Sequence, residues 1–372
     1  MKRQASYGGY ELKKSPFRIA VLPGDGIGPD VTAAALEVLD GVADRFQLSI
    51  ETESYPVGWA AVEEADHPLP PETRRAVLEA DAVFLGAVGD PKADELPPEL
   101  RPEAGLLELR KILDCFANLR PARAIAALED ASPLRSERVR GMDFLIVREL
   151  SSGLYYGEPR FVDRSGEKPV AVNTLRYTWE EIHRVARVAF DAARKRRGRV
   201  VSVDKANVLE TSRLWREVVS EVGADFPDVE LEHMLVDRAA MELILRPGHF
   251  DVILTENLFG DILSDEAGAL TGSIGLLASA SLGTKAGLYE PVHGSAPDLA
   301  GKGLANPLAA ILSMALLLEH SAEEGEAAAA IVGAVEAVLA SGVRSPELAR
   351  PGEKVSSTQE VTDHVTRALQ IR

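Results

Sequence analysis

The apolar positions fall into short continuous runs separated by longer stretches of helical periodicity. Phe17–Leu22, Asp81–Gly86, Asp143–Val147, Val200–Val203, Leu231–Val236 and Phe250–Leu254 read as strands, most too uniformly apolar to have a wet face. Leu48–Tyr55 alternates apolar and polar residues and reads as a further strand. Between them the spacing predicts helices over Asp30–Phe46, Leu106–Ala117, Thr178–Arg197, Glu210–Val222, Arg238–Leu245, Pro307–Glu319 and Ala327–Leu339. In the second of these, Leu106, Leu109, Leu113 and Phe116 share one side. Thr178…Glu181 and Ser357…Glu360 have capping-box spacing, so a last helix follows Ser357. Strands alternating with helices predict an α/β fold with a substantial parallel sheet. Ser151–Thr174, rich in Gly, Pro and aromatic residues, reads as a hairpin or extended arm. Asp90–Pro102 reads as a Pro-rich loop, and Gly268–Gly287 and His293–Asn306 as Gly-rich segments.

The length of 372 residues suits two domains. No Ser/Gly-rich linker separates them, so they are expected to share structure. A net charge of −17 argues against nucleic acid or anionic membrane as partners, and makes any inward arginine more informative. The longest apolar helical run, Ala309–Leu318, is too short to span a bilayer. Cys115 is the only cysteine, which excludes an internal disulfide or a Cys-rich zinc site and fits a reducing cytoplasm. Met1–Pro16 lacks the apolar region of a signal peptide and reads as a polar, disordered tail.

In open α/β sheets ligands gather at the carboxyl ends of strands, and four predicted strands end in residues that a fold alone does not need. The first ends in Pro23-Gly24-Asp25-Gly26-Ile27-Gly28. Pro29 stands where a dinucleotide fingerprint wants a small residue, so that pattern fails, although a turn open to close approach remains. Arg148 and Lys205 each follow a buried strand beside an acid, Glu149 and Asp204, and an ion pair with that neighbour is the simplest account of each. The fourth strand runs into Glu256-Asn257-Leu258-Phe259-Gly260-Asp261-Ile262-Leu263-Ser264-Asp265. Asp261 and Asp265 are one helical turn apart, where like charges repel unless a divalent cation or the helix dipole offsets them. Oxygen-only ligands suit Mg²⁺ or Mn²⁺, and Asp237 offers a third. Arg110 and Arg120 join Arg148 as a set suited to a substrate with more than one carboxylate. Lys205 or Tyr155 is available for proton transfer.

Five segments together resemble the β-decarboxylating dehydrogenases, the isocitrate/isopropylmalate dehydrogenase family: residues 23–29, Val147-Arg148-Glu149-Leu150, Asp204-Lys205-Ala206-Asn207-Val208, residues 257–265, and Glu290-Pro291-Val292-His293-Gly294-Ser295-Ala296-Pro297-Asp298. The resemblance covers nearly everything from Phe17 onward. It implies a two-domain α/β fold that is largely parallel and not a Rossmann fold. One domain would be built from residues 1–115 and 270–372, the other from 116–269. It also implies a homodimer with shared active sites. Arg110, Arg120 and Arg148 would bind the malate carboxylates and hydroxyl. Asp261 and Asp265 would hold Mg²⁺ or Mn²⁺ with Asp237 of the partner, which also supplies Lys205 as base, while Tyr155 protonates the enol. Ile27, Glu290, His293, Gly294, Ser295, Ala296, Asp298 and Asn306 would bind NAD, with Asp298 taking the ribose hydroxyls and repelling a 2′-phosphate.

Glu103, Leu106, Leu107 and Val208 match the family's isopropyl pocket. With Leu106 and Leu107 apolar, the expected reaction is NAD-dependent oxidative decarboxylation of (2R,3S)-3-isopropylmalate to 4-methyl-2-oxopentanoate, CO₂ and NADH, a step of leucine biosynthesis. Related dehydrogenases acting on D-malate, tartrate, homoisocitrate or isocitrate are the alternative, and Leu150, where isocitrate-type members usually carry Asn, argues against them. A magnesium-dependent hydrolase or lyase, or an idle homologue, is the reading outside the family.

Overall fold

The computed structural model describes residues 15–371; the predicted tail lies outside them except for its last two residues. Among the described residues twelve strands run in chain order: β1 (Phe17–Gly24), β2 (Ile50–Ser54), β3 (Ala82–Ala87), β4 (Cys115–Arg123), β5 (Asp143–Glu149), β6 (Phe161–Asp163), β7 (Val170–Val172), β8 (Arg199–Asp204), β9 (Glu230–Leu235), β10 (Val252–Thr255), β11 (Ala278–Gly283) and β12 (Gly287–Pro291). The helices are α1 (Gly28–Phe46), α2 (Gly58–Ala65), α3 (Pro71–Glu79), α4 (Pro102–Ile112), α5 (Ser136–Val139), α6 (Trp179–Arg194), α7 (Glu210–Ala224), α8 (Val236–Leu245), α9 (Asn257–Thr271), α10 (Leu308–His320), α11 (Gly325–Ala340) and α12 (Thr358–Ile371). Among the described residues no helix is long and apolar enough to cross a membrane.

Ten strands form one sheet in the order β2-β1-β3-β12-β11-β4-β5-β10-β8-β9. The pairings β2/β1, β1/β3 and β3/β12 are parallel, as are β5/β10, β10/β8 and β8/β9. The two parallel blocks meet through antiparallel β11 and β4. Every strand of the first block, with β11, comes from the two ends of the chain; β4 and the second block come from its middle. Both faces of the blocks are covered, which is why their strands read as continuous apolar runs. In β10, Val252 and Leu254 join a core with Ile182 and Phe190 of α6, while Ile253 faces Leu243 of α8 and Leu263 of α9. In β1, Ile19 and Val21 meet α1 residues Val31 and Val38, and Ala20 and Leu22 meet Leu109 of α4. The edge strands β2 and β9 carry Glu51 and Glu53, and Glu230 and Glu232, which discourage further strand addition.

The Gly-rich turn after β1 is a backbone clasp. Gly24 and Gly26 have φ of +73° and +60°, and a methyl on either would meet Ala87 O at 1.9 Å or Ser295 O at 2.0 Å. Ile27 N donates to Ser295 O at 2.7 Å. Both predicted capping boxes form, and Ser151–Thr174 contains the β6–β7 hairpin.

Three expectations change. The helix expected over Leu106–Ala117 occupies Pro102–Ile112, and Phe116 belongs to β4. Asp114, at φ +50°, turns the chain between them. Cys115, Ala117 and Leu119 then alternate as a buried face. The Gly-rich segment Gly268–Gly287 supplies β11 and leads into β12. Helices α2 and α3 form in a stretch with no predicted helix.

Glu149, at the end of β5, is fully buried and does not pair with Arg148. It accepts from Ser151 N at 2.8 Å, Ser152 N at 3.0 Å and Ser151 Oγ. Burial pushes its carboxyl up to about 7 against the pull of these donors. The folded chain therefore keeps a proton that the unfolded chain releases near the ordinary glutamate value. This contribution to stability is complete below that value and is lost as pH rises through about 7. Glu149→Gln removes the dependence. Its unfolding free energy should gain on the parent between about pH 5 and pH 8, by up to about 3 kcal/mol. Denaturant titrations at the two pH values check this, and a difference independent of pH contradicts it.

Candidate active site

The carboxyl ends of the second block lie side by side, and the candidate residues sit on them. Arg148 on β5 is level with Thr255 on β10, and Thr255 with Val203 on β8. Glu256 follows β10 and caps α9, accepting from Leu258 N and Phe259 N at 3.2 and 2.8 Å. Lys205 follows β8, and Asp237 stands in the first turn of α8, directly after β9. On the other side of Arg148, Asn118 of β4 is its cross-strand neighbour, and Ser281 of β11 is the neighbour of Asn118.

Arg120 and Arg148 converge on α9. Arg148 donates from Nε and Nη2 to Asn257 Oδ1 at 3.0 and 2.7 Å, and its Nη1 pairs with Asp261 Oδ1. Arg120 donates from Nε to Asn118 Oδ1 at 2.8 Å and from Nη1 to Ser264 Oγ at 2.6 Å. Its terminal nitrogens lie 3.7 Å from Asp261 and 3.4 Å from Asp265. Tyr155 OH completes the group, donating to Asp261 Oδ2 at 2.7 Å. Gly260 permits this packing, because a methyl there would lie 2.5 Å from Arg148 Cγ.

Arg110, in the last turn of α4, pairs instead with Glu290 of β12 at 2.8 Å, both largely buried. The shifts follow from these contacts. Burial, with Arg148 alongside, lowers Arg120 to about 10. Asp261 is pushed up by burial, but Arg148, Tyr155 and Arg120 outweigh that and hold its carboxyl below the ordinary value. Burial and Asp261 raise the Tyr155 phenol, so it stays protonated and can act as a donor.

The second group is separate. Lys205 Nζ lies 2.5 Å from Asp237 Oδ1, and this hydrogen bond leads the causes that lower the Asp237 carboxyl. The simple neighbour pair Lys205–Asp204 does not form: Asp204 accepts from Arg216 Nε at 2.6 Å and Ala206 N at 2.8 Å. Nor does Arg148–Glu149. Val208, beside Lys205, is 64% exposed. Among the described residues no cluster of three or more His, Cys, Asp or Glu side chains could hold a metal, so Asp237 does not join Asp261 and Asp265 within one chain. Asp261 and Asp265 present only oxygen donors from one helix face, a donor set that fits a hard divalent cation needing further ligands.

The segment 293–298 packs on the clasp after β1. Ala296, though not glycine, sits at φ +37°, and a methyl on Gly294 would meet nothing within 4 Å. His293 Nε2 is buried without a partner among the described residues, as a ligand-facing donor or acceptor would be. These features fit a nucleotide held against the segment. Asp298 is exposed in the short helical turn Pro297–Leu299. Asn306 is committed within the chain: Nδ2 donates to Glu347 Oε1 at 2.8 Å and Oδ1 accepts from Leu308 N. Leu106 is half-buried and Leu107 exposed on α4. An open cleft of about 660 Å³ joins Leu107 to Tyr155, with Lys111, Tyr156 and Arg160 on its walls. Glu103 lies nearer the cofactor segment, because a methyl on Gly89 would be 3.6 Å from Glu103 Oε1 and 3.4 Å from Ser295 Oγ.

The residues that orient the arginines (Asn118, Asn257 and Ser264) were not singled out from sequence. Asn257 and Ser264 stand inside the motif around Asp261. Asn118 is two residues from Arg120, a same-face signal only once β4 is known to be a strand.

Known proteins resemble this chain along almost its whole length. The family model described as isocitrate/isopropylmalate dehydrogenase matches residues 18–365. The 3-isopropylmalate dehydrogenase of Bacillus subtilis (strain 168) is 58% identical over 355 residues, 95% of this chain and 97% of the relative. That of Aquifex aeolicus is 51% identical over 354 residues, with 95% and 97% covered. Among solved structures, isocitrate dehydrogenase from Methylococcus capsulatus superimposes with a TM-score of 0.84 at 34% identity, covering 95% of this chain and 99% of that one. A β-decarboxylating dehydrogenase from Thermococcus kodakarensis gives 0.78 at 36%, with 95% and 96% covered. A two-block sheet, an arginine cluster at its strand ends and a match along almost the whole chain lead to one conclusion: this chain is a dehydrogenase that belongs to the isocitrate/isopropylmalate dehydrogenase family.

Proposed function

We propose that the chain catalyses the NAD-dependent oxidative decarboxylation of (2R,3S)-3-isopropylmalate, the cytoplasmic step of leucine biosynthesis expected of its relatives. The observation that carries this reading is the convergence of Arg120, Arg148 and Tyr155 on Asp261, joined by the open cleft to Leu107. The arginines fix the malate carboxylates in the orientation both chemical steps need. Lys205 takes the proton of the C2 hydroxyl. Tyr155, held protonated, returns a proton to the enol carbon left when CO₂ departs. Bound NAD would supply the hydride acceptor, and Mg²⁺ or Mn²⁺ the stabilisation of negative charge on the C2 oxygen. Asp261 and Asp265 would hold the metal with Asp237 of a second copy. Ile27, Glu290, Asp298 and residues 293–296 would hold the nucleotide, and Asn306 would shape the segment from behind.

The site is completed by a homodimer, with Lys205 and Asp237 entering from the partner. Among the described residues Asp237 does not group with Asp261 and Asp265 within one chain, which supports this, as do exposed apolar side chains on the same helices: Met241, Ile244 and Leu245 on α8, and Ile262 on α9. The β6–β7 hairpin, with Phe161, Val162 and Val170 exposed, is too small to stand alone and suits the same interface. The chain then divides into residues 1–115 with 270–372, and 116–269, as the strand order suggests.

Steady-state NADH formation tests the proposal. With 3-isopropylmalate, D-malate and isocitrate compared, the rate should be highest with 3-isopropylmalate, require Mg²⁺ or Mn²⁺, and favour NAD over NADP. Preference for isocitrate or D-malate would refute the substrate assignment, and absence of NADH formation with all three would refute the reaction. The pocket has its own test. Replacing Leu106 and Leu107 with Ser and Asn should cost 3-isopropylmalate at least tenfold more in kcat/KM than D-malate, given about 1–3 kcal/mol for each lost apolar contact. An equal loss on both substrates contradicts the pocket.

A further inference from the structure

Arg120 must meet an anion while lying largely buried on β4 with Arg148 alongside, so something has to orient it without consuming its charge. Asn118 is fully buried and its Oδ1 accepts from Arg120 Nε at 2.8 Å. The amide plane cannot turn over, because a guanidinium has donors only and Nδ2 is bound at 2.8 and 3.0 Å to Ser279 Oγ and Ser281 Oγ. Ser279 and Ser281 lie on β11, next to β4, and are themselves buried. A carboxylate at position 118 would make the stronger bond to Arg120. It would also pair the charge that a substrate carboxylate needs. Asp261 and Asp265 approach only the terminal nitrogens of Arg120 and are the oxygens assigned above to a metal. Arg148 repeats the arrangement independently, with its Nε edge on the amide oxygen of Asn257.

We propose that Asn118, locked by Ser279 and Ser281, is a positioning residue that aims Arg120 at a substrate carboxylate while leaving its charge unpaired. The inference rests on the assignment of Arg120 to substrate binding.

The test compares Asn118→Asp with Asn118→Ala in the full-length enzyme. Aspartate keeps the shape and the acceptor, and the two serine hydroxyls can rotate to donate to it. A purely structural amide would therefore tolerate aspartate better than alanine. The proposal requires the opposite for substrate. Asn118→Asp should raise KM for 3-isopropylmalate at least tenfold and more than Asn118→Ala does. KM for NAD should stay within about twofold, since the polar partners of Arg120 are Asn118, Ser264, Asp261 and Asp265, none of them in the nucleotide segment. Calorimetric titration with malonate, a plain dicarboxylate, should show the same order of weakening without turnover. Asn118→Asp with parental KM and parental malonate affinity overturns the proposal.

Arg120→Ala separates the two layers. An unchanged KM there removes the substrate assignment and the inference together. A raised KM with Asn118→Asp at parental values removes the inference alone. If Asn118→Asp does not fold, Ser279→Ala combined with Ser281→Ala carries the decision. Releasing the amide should raise KM for 3-isopropylmalate several-fold with KM for NAD unchanged, and an unchanged substrate KM overturns the proposal.

Discussion

The ion pair between Arg148 and Asp261 is the contact around which the site is arranged. Arg148 is nearly fully buried at a strand end, where an unpaired guanidinium would be strongly unfavourable. Asp261 relieves it and at the same time lies close to Arg120 and accepts from Tyr155. One carboxylate thus lets two like charges sit close together, and Arg148 still depresses Arg120. The geometry of α9 follows from this requirement. Its first turn is capped by Glu256, Asn257 turns inward to Arg148, and Gly260 leaves room for the arginine's stem. Substrate carboxylates and a divalent cation are the species that such a cluster would exchange for its internal pairs.

The sheet explains why these groups meet. Parallel strands buried on both faces deliver their carboxyl ends in a row, so Arg148, Glu256, Lys205 and Asp237 arrive from successive strands of one block. Antiparallel β4 and β11 interrupt the sheet at its centre, and this puts Asn118 level with Arg148 and Ser281 level with Asn118. The join between the two blocks is thereby also the support of the arginines. Arg110 belongs to the other block, where Glu290 at the start of the cofactor segment holds it.

Much of this was legible in the sequence, for identifiable reasons. Strands such as Val200–Val203 and Phe250–Leu254 announce themselves because burial on both faces leaves almost no polar position, Ser202 and Asp251 being the only ones in these two runs. The pair Asp261 and Asp265 was placed correctly because i,i+4 spacing on a helix is a local property. What depended on long-range structure was hidden. The apolar rhythm from Leu106 runs through Phe116 without a break, and the left-handed turn at Asp114 that ends the helix has no strong sequence signal. Misreading β4 concealed Asn118, whose Nδ2 partners, Ser279 and Ser281, are more than 160 residues away on β11. The neighbour pairs Arg148–Glu149 and Lys205–Asp204 were reasonable from adjacency. Adjacent residues of a strand point to opposite faces: Arg148, Lys205 and Asp204 pair with side chains from other elements, while Glu149 accepts from Ser151 and Ser152 of the turn that follows it.

In the proposed function one chain would carry two half-sites, with Lys205 and Asp237 serving the Arg148–Asp261 cluster of a second copy. Mixing chains tests it directly. Lys205→Ala and Asp261→Asn proteins, each inactive alone, are dissociated together, reassociated and assayed. A shared site predicts recovery of about one quarter of the parental activity, because half the dimers form as hybrids with one intact site each. No recovery in mixtures shown to contain hybrid dimers would mean that the site closes within a single chain.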